Sequence, residues 1–251
     1  MTIHWSEQFK NFFRVQLPEA PSRIRKGIYH YRREAGGNVT RFHLRVEEDG
    51  AGLLLANSSV AARLSPSGVL IAKSLLEGST KAEVAQTVYE NFRRVERSQL
   101  EKDLVKLTQF IETLANPEDN YPIFNLDDPS LIPAGRLFAP FHAQLDVGPA
   151  CEVNALLNKL WDCGIVHVTF SATRDSSSEQ AISNMERAED IGMISGLRGV
   201  ASWLQTPDLF RRAALAGVDY VVVPLLSHDA QRHDAFFGAG DFSLGLQCLH
   251  D

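Results

Sequence analysis

Strand-like and helix-like segments alternate regularly over residues 140–223. HAQLDV, IVHVTFSA, a weaker run near 193–197 and VDYVVVPLLS have the apolar character of strands. EVNALLNKLWDCG, SEQAISNMERAEDIG and TPDLFRRAALAG separate them with helical periodicity, and Thr206 is expected to cap the last helix. This order predicts a parallel sheet with helices packed on it. The last run is nearly all apolar, which predicts a strand that is buried on both faces.

The preceding region predicts three short strands. RFHLRVEE alternates and places Phe42, Leu44 and Val46 on one face. Asp49-Gly50 is a hairpin signal, AGLLLANSS is the second strand, and residues 59–64 are the third.

Three helices are expected after these strands. Ser65 caps the first with Pro66 in its first turn. Ser79 or Thr80 caps the second, and a Thr80 cap would form a capping box with Glu83. The third runs from about Glu96 to Ala115. Its one-sided apolar stripe consists of Leu100, Leu104, Leu107, Ile111 and Leu114.

The length of 251 residues suits one large domain or two small ones, and a linker rich in Pro, Asn and Asp favours two. We therefore expect an α/β chain with a basic N-terminal arm (1–38), a small domain of strands and helices (39–116), a linker (117–136) and a parallel βα domain (137–251).

Charge is unevenly distributed, since residues 1–45 contain nine Lys and Arg against three Glu in a chain of net charge -6. The arm ends at Gly36-Gly37. It suits either a solvated segment packed on its own acidic body or a contact with nucleic acid or an acidic partner. No apolar run reaches the roughly 18–20 residues of a membrane span, the N-terminus lacks a signal-peptide pattern, and three scattered cysteines argue against a disulfide framework. A cytoplasmic location is expected.

The order of three strands and three helices resembles the PqqD-like family of recognition elements for ribosomally made, modified peptides. NSS before the first helix and LLEG-S-T-x-x-E-V after it are part of this resemblance. The resemblance covers about residues 40–115 and implies a winged-helix fold. It further implies that a precursor or leader peptide adds as a strand beside the third strand and lies against the third helix.

This resemblance places a peptide-binding edge at Ala61, Ala62, Arg63 and Leu64. The helix wall would consist of Gln99, Asp103, Lys106 and Phe110. Arg63 and Lys106 would attract an acidic leader. An ordinary edge strand and helix surface is the alternative. DNA binding, also known for winged helices, is disfavoured because the third helix carries mixed charge.

The second region resembles the first half of a radical S-adenosylmethionine domain. The resemblance rests on LDVGPAC, the helix after it, GIVHVTFSAT and GVDYVVVPLLSHDAQRHDAFFG. That family holds a four-iron cluster with a C-x3-C-x2-C motif. Cys151 matches the first cysteine, but the next two positions are Ala155 and Asn158. The stretch that would hold the amino group of S-adenosylmethionine reads Ser171-Ala172-Thr173-Arg174, without the family's glycines and carboxylate. The resemblance therefore implies a degenerate domain that binds neither cluster nor cofactor.

Four strands, where the complete family domain has about six, imply a truncated half-barrel, and its open parallel edge predicts a homodimer or a cover. Cys163 is expected to be a small buried residue. His142 and His167 alternate with apolar residues and suit satisfied core histidines.

HDAQRHD follows the last strand, at the position where α/β folds place active sites. His228, Asp229, His233 and Asp234 are therefore candidate ligands for zinc or another divalent metal, although surface loops often carry such residues. The sequence contains no G-x-S-x-G motif and no P-loop.

The resulting hypothesis is a non-catalytic peptide-binding or scaffold protein. It would deliver a leader peptide to a separate modifying enzyme, such as an active radical S-adenosylmethionine enzyme. A metal-dependent α/β enzyme that uses the His228 and His233 loop, and a winged-helix DNA-binding regulator, remain the alternatives.

Overall fold

The structure is a computed structural model that describes residues 24–35, 38–57, 59–115 and 139–249. The chain divides into two compact units, Met1–Phe138 and Ala139–Asp251. Each contains one four-stranded sheet, antiparallel in the first unit and parallel in the second. The predicted α/β class is confirmed. Among the described helices, none combines the length and apolar character that crossing a membrane requires.

The sheet of the first unit contains β1 (Gly27–Ala35), β2 (Asn38–Val46), β3 (Gly52–Ala56) and β4 (Ser59–Leu64), in that spatial order. The last three are the strands that the sequence predicts. The first lies within the stretch assigned to the basic arm. Residues 27–35 pack on their own unit, as one alternative for the arm expects, but they do so as a strand, and the sheet has four strands, not three.

Side chains of alternate residues fix β1 to the helical layer. Tyr29 and Tyr31 pack against the core, and the Tyr31 hydroxyl donates to Glu77 Oε1 over 3.4 Å. Arg33 Nη2 donates to the carbonyl of Leu75 over 2.5 Å. That carbonyl lies in the last turn of a helix, where backbone acceptors lack partners within the helix. Arg33 therefore fixes β1 to the end of this helix.

Three helices follow, α1 (Pro66–Leu76), α2 (Lys81–Asn91) and α3 (Arg97–Ala115). Ser65 accepts a hydrogen bond from the backbone N–H of Gly68, and Thr80 forms a complete capping box with Glu83. Both predicted N-termini are confirmed. The predicted stripe of α3 is buried throughout, in one core with the inward residues of β2, β3 and α1.

The two central strands, β2 and β3, are also buried on the opposite face of this sheet. His43 and Arg45 of β2 and Leu53 and Leu55 of β3 are each at most 1% exposed. Arg45 Nε lies 2.9 Å from Glu47 Oε1, and a charge partner of this kind is what a buried guanidinium requires. The polar residues that alternate with Phe42, Leu44 and Val46 are thus interior residues, although alternation usually places them in solvent.

The sheet of the second unit contains β5 (His142–Asp146), β6 (His167–Ala172), β7 (Ile194–Gly199) and β8 (Tyr220–Val222), all parallel and in chain order. The helices are α4 (Ala150–Asp162), α5 (Ser178–Ile191), α6 (Ala201–Leu204), α7 (Leu209–Leu215), α8 (Ala230–Phe237) and α9 (Asp241–Cys248). Val168 and Phe170 of β6 and Leu197 of β7 pack with α4, α5 and α7 in the core of this unit.

Two predictions for the end of the chain are wrong. The apolar run at 218–227 forms only a three-residue strand, which is partly exposed and pairs with β7 alone among the described strands. It is an edge strand, so many of its apolar residues are not buried on both faces. Thr206 does not cap α7: its hydroxyl donates to the carbonyl of Trp203, and Asp208 precedes the helix without a side-chain cap.

Candidate functional site

The predicted peptide-binding edge lies on β4. Leu64 and Ala62 point into the core, at 1% and 7% exposure. Arg63 points to the other face, directly opposite Leu53, and is exposed. Only the backbone of Ala61 is described. Within the described residues β4 pairs only with β3, and Arg63 forms no ion pair, so this edge offers backbone hydrogen-bonding groups beside an uncompensated positive charge.

The predicted helix wall forms a stripe on α3, with spacings of four and three residues. Gln99 Nε2 donates to Asp103 Oδ1 over 2.8 Å, and this carboxylate is only 3% exposed. Lys106 is exposed, whereas Phe110 is half-buried and packs against the core. At least one of the four residues, Asp103, is thus an interior group that no ligand reaches directly.

The structure does not bring these two halves together. In the first unit α3 packs mainly on α1, α2 and the strands β1 and β2, at the opposite side of the sheet from β4. The hydroxyl of Thr40 on β2 donates to the carbonyl of Leu114, which fixes the C-terminal end of α3 there. A groove between the β4 edge and the stripe on α3 is therefore not supported, because β1 lengthens the sheet on the side that the helix covers.

The burial of Asp103 makes the stability of the first unit depend on pH. Desolvation raises the pKa of this carboxyl, against the hydrogen bond from Gln99 and the positive charge of Lys106. Because the pKa of Asp103 is higher in the folded state, the protein is most stable at pH values below the pKa of the unfolded state. Its stability falls as the pH rises through the pKa of the folded state.

Asp103→Asn keeps an acceptor for Gln99 and removes the charge. We expect it to increase the free energy of unfolding at pH 7 by on the order of 1 kcal/mol, and to have little effect at pH 4. Urea unfolding at both values measures this difference. Exposed Glu101→Gln is the control, and an equal effect of Asp103→Asn at both pH values would contradict the assignment.

A cleft of about 280 Å³ lies on the side of the sheet that β1 borders. It is lined by Arg33 of β1, the turn before α2, and Thr108 and Glu112 of α3. Its polar groups mostly support the fold, since Arg33 binds the end of α1 and the Thr108 hydroxyl donates to the carbonyl of Leu104. This cleft is a groove-like feature beside α3 on the side opposite β4.

In the second unit, the positions that match the cluster motif lie on the outer side of α4. Cys151, Ala155 and Asn158 are all exposed, and Asn158 Oδ1 accepts a hydrogen bond from Arg187 of α5 over 3.1 Å. A helix begins at Ala150, where the family has a loop of ligands. Cys163 is exposed, so its expected burial is wrong.

The segment after β6 is engaged with the C-terminal helices. Arg174 donates to the carbonyl of Phe237, at the C-terminal end of α8, where a positive charge is favourable. Trp203 Nε1 donates to the carbonyl of Ser176 over 2.8 Å. Arg174 therefore has a structural role at the position where the resemblance would place a cofactor contact.

The HDAQRHD residues do not converge on one point. His228 is exposed. Asp229 caps α8 by accepting from Gln231 and Arg232, and Asp234 accepts from Gly240 and Phe242 at the start of α9. No group of three or more His, Cys, Asp or Glu that could hold a metal occurs in the part of the chain that the structure describes.

His233 is fully buried and forms a polar link between several elements. Its Nδ1 accepts from the backbone N–H of Leu226 over 3.3 Å, which places the hydrogen on Nε2, and Nε2 donates to Asp241 Oδ2 over 3.2 Å. Asp241 Oδ1 in turn accepts from the N–H of Ser202. Both polar ends of the imidazole are thereby satisfied without a metal.

A second polar network crosses the sheet face that is turned away from the helices. His142 Nε2 and Tyr220 OH each lie 2.7 Å from Thr169 Oγ1. The Tyr220 ring lies over Gly196, where a Cβ would be 2.2 Å from the ring. Burial lowers the pKa of His142 and raises that of Tyr220, so both groups favour their neutral forms.

This face was not predicted as a site. His142 and His167 are register partners and share it, but the residues that complete the network come from β6, β7 and β8. The sequence signal was the polar residue at every second position of HVTFSA, namely His167, Thr169 and Ser171. No protein-family model, curated protein or solved structure matches the chain.

Proposed function

We propose that the first unit is a winged-helix peptide-recognition module that binds an acidic, extended peptide by strand addition at β4. The observation that carries the proposal is the open edge of β4 with Arg63 beside it, exposed and without an ion pair among the described residues. Backbone groups of an edge strand supply affinity for an added strand, and a neighbouring charge selects its sequence.

The remaining structure of this unit supports such a role. The core that α1, α2 and α3 form with the sheet includes Ala62 and Leu64 of β4, so this part of the edge strand is packed before binding. A pre-ordered edge loses less conformational entropy when a partner strand adds to it. The positive charge at Arg63 favours an acidic partner, and the PqqD-like sequence pattern points to a leader peptide of a ribosomally made, modified peptide.

The second unit would then act as a docking or dimerisation surface in a degenerate half-barrel without catalysis of its own. The partly exposed edge strand β8 and the adjacent Leu225 and Leu226, 47% and 57% exposed, support this part of the proposal. Leu226→Asp is expected to shift a dimer to monomer in analytical ultracentrifugation, whereas Leu215→Asp, at the 78% exposed end of α7, serves as the control. A monomeric wild type would refute it.

Peptide binding is tested by fluorescence anisotropy with labelled acidic peptides that are encoded beside the gene. We expect Arg63→Glu to weaken binding at least about tenfold, since it replaces an attraction with a repulsion. Arg211→Glu makes the same charge change at an exposed position of the second unit and is expected to leave binding unchanged.

Backbone N-methylation of the peptide tests strand addition without any change in the protein. Only alternate peptide N–H groups of an added strand face β4. Methylation of one alternating set should therefore abolish binding, and methylation of the other set should be tolerated. Equal effects of both sets, or binding that ignores Arg63→Glu, would contradict the proposed mode.

A further inference from the structure

The carboxyl ends of β5, β6 and β7 bring three polar side chains into one row. Asp146 pairs in register with Ser171, and Ser171 pairs with Arg198. Register partners of parallel strands project to the same face. This is the face of Thr169, because Ser171 is two residues further along β6, while Phe170 points into the core. The row therefore lies above the network of His142, Thr169 and Tyr220.

The three groups do not satisfy one another. Arg198 and Asp146 form no ion pair within the described residues, and the buried Oγ of Ser171 has no hydrogen-bond partner there. Buried hydroxyls are rarely left without a partner, because no hydrogen bond then compensates for the free energy of desolvation. A hydroxyl in this state, between a cation and an anion that have no ion-pair partner among the described residues, indicates a place for a polar ligand.

On β6 and β7, burial along this face decreases toward the row, whereas the residues of β5 on this face are exposed throughout. His167 and Thr169 are 3% and 4% exposed, Ser171 and Arg198 are half-buried, and Asp146 is exposed. The face is thus accessible at the carboxyl end of the sheet, which is where open α/β sheets bind their ligands. Gly196 leaves room on β7 for the Tyr220 ring, which forms an aromatic floor below Arg198.

The charges define the ligand. An arginine fork binds a carboxylate through two parallel hydrogen bonds. Adjacent strands are about 4.8 Å apart, so Asp146 and Arg198 are separated by about 10 Å at their Cα atoms. A molecule held between them therefore carries its carboxylate and a hydrogen-bond donor only a few ångströms apart. A phosphate dianion fits poorly, because Asp146 would repel it.

We propose that Asp146, Ser171 and Arg198 form a binding site for a small amino or hydroxy acid. Arg198 holds the carboxylate, Ser171 bonds it or the adjacent donor, and Asp146 accepts from the amino or hydroxyl group. The site is independent of the β4 edge, so peptide binding and acid binding succeed or fail separately.

Differential scanning fluorimetry of the full chain tests this proposal. The probes are glycine, L-alanine, L-serine and L-glutamate, the hydroxy acids L-lactate and D-glycerate, and acetate as the carboxylate without a donor. At least one amino or hydroxy acid is expected to raise the transition temperature by about 2 °C or more. No shift with any of them, or an equal shift with acetate, would overturn the proposal.

Variants distinguish the site from general stabilisation. Titration of the best probe should show affinity at least about tenfold weaker in Arg198→Met, with an intermediate loss in Arg198→Lys, which keeps the charge but not the fork. Ser171→Ala removes an unpaired hydroxyl, so it should fold normally and yet bind more weakly. Arg211→Met is the matched control. Wild-type affinity in both Arg198→Met and Ser171→Ala would refute the assignment, even if one variant folds poorly.

Discussion

His233→Ala is expected to lower the free energy of unfolding of the second unit by about 3–5 kcal/mol. The imidazole is 0% exposed and Asp241 is 3% exposed, so the substitution leaves Oδ2 of an interior carboxylate without its donor. It also removes the acceptor for the N–H of Leu226 and leaves a cavity against Phe237 and Phe242. Each of these losses is costly on its own.

Urea unfolding in a Trp5→Phe background measures this effect, because both remaining tryptophans, Trp161 and Trp203, lie in the second unit. His228→Ala is the matched control: the same residue type, five positions earlier, exposed at the surface. It is expected to change stability by less than about 0.5 kcal/mol. Equal losses in the two variants, both abolished by a chelator, would instead support the metal-binding alternative.

The contrast between these histidines shows what the sequence can predict of this loop. HDAQRHD contains the residue types of a metal site, but the sequence does not show how their side chains are arranged in space. Its local roles were nonetheless readable, since Asp229 stands at a helix start in the manner of an N-cap. The partner of His233 was not readable, because Asp241 belongs to a helix that follows a turn with Gly238 and Gly240.

Much of the fold was predictable because local signals agreed with one another. Capping residues, a hairpin at Asp49-Gly50 and a clear apolar stripe on α3 each specify an element independently of tertiary contacts. The strand β1 is the main exception. GIYHYRREA alternates, but its inward side chains include Arg33, which the pattern could not identify as a partner for the end of α1.

The sites depend on pairings between distant residues, and this limits prediction further. Strand order and register place Asp146, Ser171 and Arg198 in one row, although more than 20 residues separate each from the next. The proposed peptide edge was predictable because it occupies a single strand. The predicted groove with α3 failed, since β1 determines which side of the sheet that helix covers.

Gly52→Ala is expected to destabilise the first unit by about 1–3 kcal/mol, the usual cost of overpacking a filled interior. A Cβ at this position would lie 2.7 Å from the backbone carbonyl oxygen of Arg45 and 2.7 Å from Cγ2 of Val69. The carbonyl belongs to the neighbouring strand β2, so it cannot move without distorting the sheet, and Val69 is fully buried in α1. Both neighbours therefore resist relaxation.

Hydrogen–deuterium exchange of the amides in β2 and β3 measures this loss separately from the second unit, since local exchange reports local opening. Gly245→Ala is the matched control in α9, where a Cβ would meet Leu225, Val223 and Ala201 at 3.6–3.7 Å, an ordinary packing distance. Alanine is the better helix former, so this variant should stabilise its helix by about 0.5–1 kcal/mol. If Gly52→Ala left exchange in β2 and β3 unchanged, the close approach of Arg45, Gly52 and Val69 would be wrong. Protection gained in α9 alone would then show that the assay detects changes of the expected size.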